Sequence, residues 1–287
     1  MTTLNELINT YGIEKLMSMV KYPSILTYHN LGERGTLLDS LVDNKDFNNQ
    51  SVYITEKIDG TNSFMCFTTD VYGRIDDYFI GTRTEPLYFK GDRMIVNHSQ
   101  HIADELKTIA DEICDIFSYK HNYLPVVKSL WAYSLYVVFG ETYGGKINGY
   151  KEYGRTGKHG FRVFDIIEMP SCCAKEVLEM DIEHISTWRE NGQQPFVNVD
   201  RMVELCGGME VLSTVPFLKV GISGDTIPSS IESVYDWLQQ FKESRAKLDD
   251  DGLGHAEGVV VRTFNRSLIR KIRFEDYQRT LKRKTRN

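Results

Sequence analysis

One stretch of ten residues, 53–62, constrains the fold of this chain more than any other. It reads Tyr-Ile-Thr-Glu-Lys-Ile-Asp-Gly-Thr-Asn, an apolar and β-branched run followed by an Asp-Gly pair. Asp-Gly is a strong turn signal, because glycine tolerates a positive φ and aspartate can hydrogen-bond its own backbone. A second apolar run follows at 63–67. The pattern predicts a β-hairpin with Lys57 at its mouth, flanked by Glu56 and Asp59.

A lysine in this position can act as an amine nucleophile, because its pKa shifts readily when the ammonium is desolvated. A lone Lys-x-Asp-Gly is more often a surface lysine beside a tight turn. The rest of the chain has to decide between these two interpretations.

The composition is that of a soluble globular protein. Its 287 residues are 41% hydrophobic, which is enough for a sizeable core. The five cysteines form neither a CxxC pair nor a metal-finger spacing, so we expect reduced thiols in a cytosolic-type compartment. The chain has no run of about 18 apolar residues and no signal-peptide layout at its start. We therefore expect a cytoplasmic protein that does not contact a membrane; a viral and a cellular host both stay open.

Charge is distributed unevenly along the chain. The net charge is −6, yet residues 262–287 hold ten Lys or Arg against two Asp or Glu, and residues 1–261 hold 24 against 38. A basic end on an acidic body indicates a phosphate-rich partner that binds this end. For the last six residues, a solvated and frayed tail is the equally good alternative.

Apolar spacing predicts the order of the elements. The pattern is typical of short helices over 3–20 with a break near Gly12, and of loops with one short strand over 21–50. The later elements are predicted as strands at 51–56, 63–68 and 78–84, a helix at 101–119, strands at 135–141 and 161–167, helices within 175–250, strands after Glu257 and at 269–273, and a basic helix at 274–284. In the strand at 269–273, Lys271 and Arg273 share a face.

These elements predict an α+β fold of mainly antiparallel sheets flanked by helices. We predict three regions, which are a helical and loop extension at 1–50, the main domain at 51–277 and a basic tail at 278–287.

Five short motifs in chain order resemble the motif series of the covalent nucleotidyltransferase superfamily of ligases and capping enzymes. They are Lys57-Ile58-Asp59-Gly60, Phe139-Gly140-Glu141, the aromatic-Asp strand Phe161–Asp165, Glu257-Gly258-Val259-Val260 and Lys271-Ile272-Arg273. The form of residues 56–62 is most similar to RNA ligases of the RNA ligase 2 type. The resemblance covers about residues 50–277 and implies a nucleotidyltransferase (ATP-grasp-like) domain.

The resemblance implies an ATP-dependent RNA ligase. In this reaction Lys57 attacks the α-phosphate of ATP, AMP passes to an RNA 5′-phosphate, and a 3′-hydroxyl then displaces AMP. ATP and Mg²⁺ or Mn²⁺ are the implied cofactors, and RNA ends are the implied partner. Whether those ends lie in a nicked duplex or on a template stays open, as do the oligomeric state and a protein partner.

The resemblance also implies a role for each matching residue. Lys57 and Lys271 would be catalytic, Asn62 would serve in AMP transfer, and Arg83 would contact the nucleotide phosphate. Glu141 would bind the ribose hydroxyls, Glu257 and Glu141 the metal, and Lys271 and Arg273 the phosphates. Phe164 would stack on adenine, with Phe161 as its rival because the strand register is uncertain.

Two departures from the family pattern limit this inference. The last motif is usually Lys-x-Lys, and here Arg273 replaces the second lysine, which changes a point donor into a planar fork. Only 16 residues follow Lys271, too few for the C-terminal domain with which many ligases hold a nicked duplex. The N-terminal extension and basic tail could replace that domain, a partner could hold the RNA, or the chain could be truncated.

Two other functions remain as alternatives. One is a related enzyme, either a DNA ligase core or a guanylyltransferase of the capping type. The other is a non-catalytic nucleotide- or RNA-binding module on the same fold, which has no physical need for Lys57, Glu141, Glu257 and Lys271 together.

Overall fold

The computed structural model describes residues 3–70, 72–91, 93–94, 99–119, 134–147, 149–155 and 157–285. The chain forms two compact units, each assembled from three stretches. The first comprises Met1–Ser24, Thr61–Thr142 and Gly160–Thr214, and the second comprises Ile25–Gly60, Tyr143–His159 and Val215–Asn287.

The described residues form α-helices and antiparallel strands. The helices are α1 (Leu4–Tyr11), α2 (Ile13–Val20), α3 (Gln100–Tyr119), α4 (Tyr150–Tyr153), α5 (Ser171–Glu179), α6 (Ile182–Glu190), α7 (Val199–Gly207), α8 (Ile231–Leu238) and α9 (Phe274–Lys284). The strands are β1 (His29–Leu31), β2 (Leu37–Leu41), β3 (Ser51–Lys57), β4 (Thr61–Thr69), β5 (Ile75–Thr82), β6 (Pro86–Phe89), β7 (Arg93–Met94), β8 (Ser134–Gly144), β9 (His159–Pro170), β10 (Phe217–Ser223), β11 (Gly258–Thr263) and β12 (Ile269–Arg273). The predicted α+β class is confirmed.

The first unit is built on a six-stranded sheet with the order β7-β6-β5-β4-β8-β9. Central strand β4 pairs antiparallel with both β5 and β8. Residues 63–70 are buried without interruption, which is typical of a strand covered on both faces. Phe64 packs against Phe79 and Phe139 within this unit.

Helices α1 and α2 pack within the first unit, against α5 and α6. A capping box between Thr3 and Glu6 starts α1, and Gly12, with φ at 86°, separates the two helices. The predicted helical region and its break are confirmed. The region boundaries at residues 50 and 277 stay a prediction.

The second unit is built on a four-stranded antiparallel sheet with the order β10-β3-β11-β12. One face of this sheet forms the core with α8 and α9, through a cluster that includes Val52, Ile54, Val259, Val261 and Ile272. Directly paired residues point to the same face of a sheet. The register therefore places Lys57, Lys271 and Arg273 on the face opposite this core. The prediction that Lys271 and Arg273 share a face is confirmed.

Residues 21–50 contain more structure than predicted. Two strands, β1 and β2, pair there instead of one. The segment that leads into β1 also pairs with β12, at the edge of the four-stranded sheet. Lys271 N–H donates to the Leu26 carbonyl (2.9 Å), and Tyr28 N–H donates to the Lys271 carbonyl (3.2 Å). Local sequence could not reveal this pairing, since the two segments lie far apart in the chain.

A fully buried histidine joins three segments of the second unit. His29 Nε2 donates to the Ser229 carbonyl (2.9 Å), so Nδ1 accepts from the Tyr277 hydroxyl (2.7 Å). This arrangement satisfies the neutral imidazole on both nitrogens. Burial is the main cause that lowers the pKa of His29 from its ordinary value of 6.5, despite the raising effects of the Ser229 carbonyl and Asp39.

We expect His29 to make the fold less stable at acidic pH. Because the pKa of His29 is lower in the folded state, the unfolded chain binds the extra proton as pH falls below about 6.5, at a cost of at most about 1.4 kcal/mol per pH unit. The free energy of unfolding in urea, measured at pH 7 and pH 5, should fall less in His29→Gln than in the parent. The same change at the exposed His184 should leave the parental pH dependence intact; equal losses in the two variants would contradict the assignment.

Within the described ranges, no helix is both long and apolar enough to cross a membrane. All five cysteines are free of disulfides, and Cys66, Cys114 and Cys206 are buried.

Candidate functional site

In the second unit, Lys57 ends β3 and Glu257 directly precedes β11. Lys57 Nζ and Glu257 Oε2 are 2.5 Å apart, and the two side chains are 24% and 18% exposed. The structure therefore joins two predicted site residues that lie 200 positions apart in the sequence. Neither is fully buried, so the pair is accessible to a ligand.

Gly258 lies between the cationic strand ends. It pairs with Lys57 on one side and with Arg273 on the other. A Cβ at this position would lie 2.1 Å from the Ile272 carbonyl oxygen, which no side chain tolerates. Glycine after Glu257 is thus required by the close approach of β11 and β12.

Arg273 is held by a partner that sequence reasoning missed. Its Nε and Nη2 each donate to a carboxylate oxygen of Asp276, both at 2.8 Å, and Asp276 is buried in α9. Arg273 Nη1 also lies 3.6 Å from Glu257 Oε1. A lysine could not make this bidentate pair, which gives a physical reason for the departure from Lys-x-Lys.

Lys271 is half-buried on the same sheet face as Lys57 and Arg273. Desolvation by burial is the main cause that lowers its pKa, and the positive charges of Arg273 and Lys57 add to it. Among the described residues, the Lys271 ammonium has no hydrogen bond or ion pair. A desolvated cation beside two other cations is suited to binding a polyanion such as a triphosphate.

The turn after Lys57 is fixed by a second residue that the sequence did not reveal. Asp59 N–H donates to the hydroxyl of Tyr153 (2.6 Å), which is buried in α4. Burial raises the pKa of Tyr153 well above its ordinary value, so the hydroxyl stays neutral. Gly149 lies against Asp59, where a Cβ would approach Oδ2 to 2.5 Å.

Glu56 does not face Lys57. Its side chain lies on the core face of β3 and accepts hydrogen bonds from Ser244 Oγ (2.5 Å) and Arg245 N–H (2.7 Å). The two residues therefore flank the turn in sequence but lie on opposite faces of the sheet.

In the first unit, three predicted site residues form a row across neighbouring strands. Asn62 on β4 lies directly opposite Glu141 on β8. On the other side, Arg83 N–H donates to the Asn62 carbonyl (3.1 Å). Asn62 Oδ1 is buried and has no hydrogen-bond partner within the described residues. An orphaned acceptor beside a carboxylate is suited to a ligand that carries hydroxyl or amino donors.

The two rival aromatic residues of β9 differ in exposure. Phe161 is 7% exposed, and its ring covers Gly140, where a Cβ would lie 2.4 Å from the ring. Phe164 is partly exposed and contacts Tyr22 edge-on, with 4.9 Å between ring centroids. A stacking platform needs an accessible ring face, so Phe164 remains the better candidate.

Arg83 also faces an open groove of the first unit. Its Nη2 donates to Ser24 Oγ. With Lys21 and Arg189 it lines a groove of about 390 Å³ whose wall includes α2 and α6. Three cations around one groove are suited to phosphate, although Arg189 already bonds Ser18 and Glu190.

The basic C-terminal segment includes α9, in which two of the four basic side chains form ion pairs. Lys284 contacts Asp39 and Glu232, and Arg279 contacts Glu275. Lys282 and Arg283 remain exposed. The positive charge counted in the sequence is therefore only partly available to a partner.

Within the described residues, no group of three or more His, Cys, Asp or Glu side chains could hold a metal ion. Glu257 still fits Mg²⁺ or Mn²⁺, because hard cations prefer carboxylate oxygens and Mg²⁺ is commonly bound by one or two carboxylates together with substrate phosphates.

Comparisons with known proteins identify a family and a fold. A family model described as RNA ligase matches residues 50–284. Among solved structures, the chain is similar to a Naegleria gruberi RNA ligase mutant with ATP and Mn, at 14% identity and a TM-score of 0.51, over 91% of this chain and 62% of that chain. It is also similar to the Naegleria gruberi RNA ligase with PPi, at 14% identity and a TM-score of 0.50, over 91% of this chain and 64% of that one.

At these identities the two likenesses concern the fold alone. The chain spans 62% and 64% of the length of the two Naegleria chains. No match was found among the curated proteins.

Proposed function

The chain belongs to the RNA ligase family, whose model matches residues 50–284, and from this premise we propose that it is an ATP-dependent RNA ligase. It joins RNA 3′-hydroxyl and 5′-phosphate ends through a covalent lysine–AMP intermediate and an adenylylated RNA end.

One observation carries the proposal. The half-buried Lys271, which has no bonding partner among the described residues, shares a sheet face with Lys57 and its acceptor Glu257. A nucleophile, a proton acceptor and an anion-binding cation are the groups that phosphoryl transfer to lysine needs.

In the first step Lys57 Nζ attacks the α-phosphorus of ATP. The N–P bond forms as the bond to the bridging oxygen of the β-phosphate breaks, and pyrophosphate leaves with the electron pair. The ammonium must lose a proton before the attack, and Glu257 Oε2 is the acceptor at 2.5 Å. Lys271 offsets the charge on the transferring phosphoryl group. Arg273, braced by Asp276, adds to this positive field.

In the second step an RNA 5′-phosphate oxygen attacks the same phosphorus, and Lys57 leaves as the amine. In the third step a 3′-hydroxyl attacks the RNA 5′-phosphorus, and AMP leaves as a phosphodiester forms. The proposal assigns Asn62 to the transfer of AMP to RNA. Arg83 is assigned to the phosphate, which its position beside Lys21 and Arg189 supports.

The nucleoside is assigned to residues of the first unit. Glu141 accepts from the ribose hydroxyls, and the unpartnered Asn62 Oδ1 beside it supplies another acceptor. Phe164 stacks on adenine. A divalent metal supplies charge neutralisation at the phosphates when bound; Glu257 would hold it, and Glu141 as a second ligand stays a prediction from the resemblance.

Labelling and sealing assays test the proposal. Incubation with radioactive ATP or GTP distinguishes a ligase from a capping-type enzyme, and RNA and DNA ends distinguish RNA ligase from DNA ligase. We expect covalent label from ATP and sealing of RNA. Label from GTP alone, or sealing of DNA alone, would replace the proposal with one of the two related enzymes.

We expect the exposed end of α9 to contribute to RNA binding through Lys282 and Arg283. Changing both to Gln should lower the slope of log affinity against log salt by about 1.4–1.8, since each lost phosphate contact is worth about 0.7–0.9. A filter-binding series over salt concentration measures this. The exposed pair Lys175→Gln and Lys219→Gln is the matched control, and identical slopes for both double variants would remove RNA binding from this helix end.

A further inference from the structure

Glu56 is a buried carboxylate that the proposed chemistry does not use. It is 2% exposed and points away from Lys57, into the second unit. Both of its oxygens accept hydrogen bonds from one segment, through Ser244 Oγ and the Arg245 backbone N–H. A carboxylate that accepts two hydrogen bonds from one segment fixes the distance and the angle between that segment and β3.

The segment that Glu56 holds leads directly to Glu257. Ser244 N–H donates to the Gly254 carbonyl (2.7 Å), and Ala256 N–H donates to the Lys242 carbonyl (2.9 Å). Residues 242–244 and 254–256 therefore form a short antiparallel ladder that ends one residue before Glu257. We name residues 242–256 the buttress loop.

A second set of contacts holds the end of the buttress loop that lies next to Glu257. His255 N–H donates to Glu152 Oε2 (3.1 Å), and Gly254 N–H donates to the Glu152 carbonyl (2.8 Å). These contacts come from α4 and not from β3. Within the described parts of the chain, the bonds of Glu56 to Ser244 and Arg245 tie the buttress loop to the strand that carries Lys57.

We infer that Glu56 is a positioning residue, which acts through the buttress loop to hold the Glu257 carboxylate against Lys57. The inference rests on the proposed function of Lys57 and Glu257. Strand β3 thus carries two consecutive residues on opposite faces. Lys57 performs the chemistry, and Glu56 positions Glu257, the partner of Lys57. Loss of the Glu56 bonds detaches the loop from β3 at Ser244 and Arg245, while its contacts with α4 remain, and lets Glu257 move away from the lysine amine.

Amide hydrogen exchange tests the mechanical part without any activity. In Glu56→Ala the amides of Arg245 and Ala256 should exchange at least tenfold faster than in the parent, while the β11 amides keep their protection. Ser244→Ala, which removes only one hydroxyl, should give a smaller change in the same direction. Ile231→Val, in the core on α8, is the control for a general loss of stability. Parental exchange at Arg245 and Ala256 in both variants would overturn the inference.

Single-turnover AMP transfer tests the functional part. We expect Glu56→Ala to lower the rate of lysine adenylylation about tenfold with the KM for ATP unchanged, and Ser244→Ala about threefold. The double variant should be no slower than Glu56→Ala, because both changes break the same connection. Ile231→Val should retain the parental rate per folded molecule.

The outcomes separate the two hypotheses. A parent that takes up no AMP overturns the proposed function, and the exchange data still decide whether Glu56 holds the loop. A parent that takes up AMP, with Glu56→Ala and Ser244→Ala at its rate, overturns the positioning role alone.

Discussion

Incubation with ATP and Mg²⁺ should add the mass of one AMP to the parent protein and nothing to Lys57→Ala or Lys57→Arg. The alanine variant has no nucleophile. The arginine variant keeps the positive charge beside Glu257, but a guanidinium stays protonated in proteins and cannot attack phosphorus. Intact-mass spectrometry measures the gain directly.

The Lys57→Arg variant makes this result specific. It retains an ion-pair partner for Glu257, so its loss of labelling cannot be attributed to an unpaired carboxylate. AMP uptake by Lys57→Arg at the parental rate would contradict the assignment of the nucleophile. If the parent itself gained no mass with ATP, GTP or NAD⁺, the non-catalytic binding module would become the leading interpretation, provided that the isolated protein is not already adenylylated.

Lys271→Gln should slow AMP transfer about 100- to 1,000-fold, the range typical for the loss of one group that stabilises charge in a transition state. The variant removes a desolvated ammonium without a bonding partner among the described residues. For the same reason we expect its melting temperature to equal or exceed that of the parent, because no native bond of the side chain is lost. Labelling rates and thermal melts, measured together, test both parts.

Lys219→Gln is the matched control for this second prediction. Lys219 is exposed on β10 of the same sheet, and its loss should change neither the rate nor the melting temperature. A Lys271→Gln protein that melts well below the parent would show that the lysine stabilises the fold, and a parental labelling rate would remove it from the reaction.

The elements with strong local signals were predictable. The predicted helix over 274–284 is α9, and the predicted strand over 51–56 is β3 with one more residue. Periodicity acts within a few residues, so it is legible in the sequence. The hairpin predicted from the Asp-Gly pair is wrong, because β3 pairs with β10 and β11 while β4 pairs with β5 and β8 in another sheet. A turn signal specifies the local change of direction but not the strands with which its flanking segments pair. The structure of residues 21–50 was harder to predict, because β1 and β2 are short and partly exposed. The pairing of Leu26 and Tyr28 with β12 is moreover a long-range contact, which local sequence does not reveal.

By itself, the sequence determined most of the helices and strands, the residue types available for catalysis and the motif series that identifies the family. It missed strands such as β10, which lies where only helices were predicted. Only the tertiary structure decided which of these residues meet. It placed Glu257 at Lys57, braced Arg273 with Asp276, and turned Glu56 away from its neighbour towards Ser244. The physical reason is that a one-residue step along a strand reverses the face of a side chain, and the partners of Glu56 and Lys57 lie 188 and 200 residues further along the chain. Arg273 and Asp276 are three residues apart, but they meet only because β12 ends and α9 begins between them.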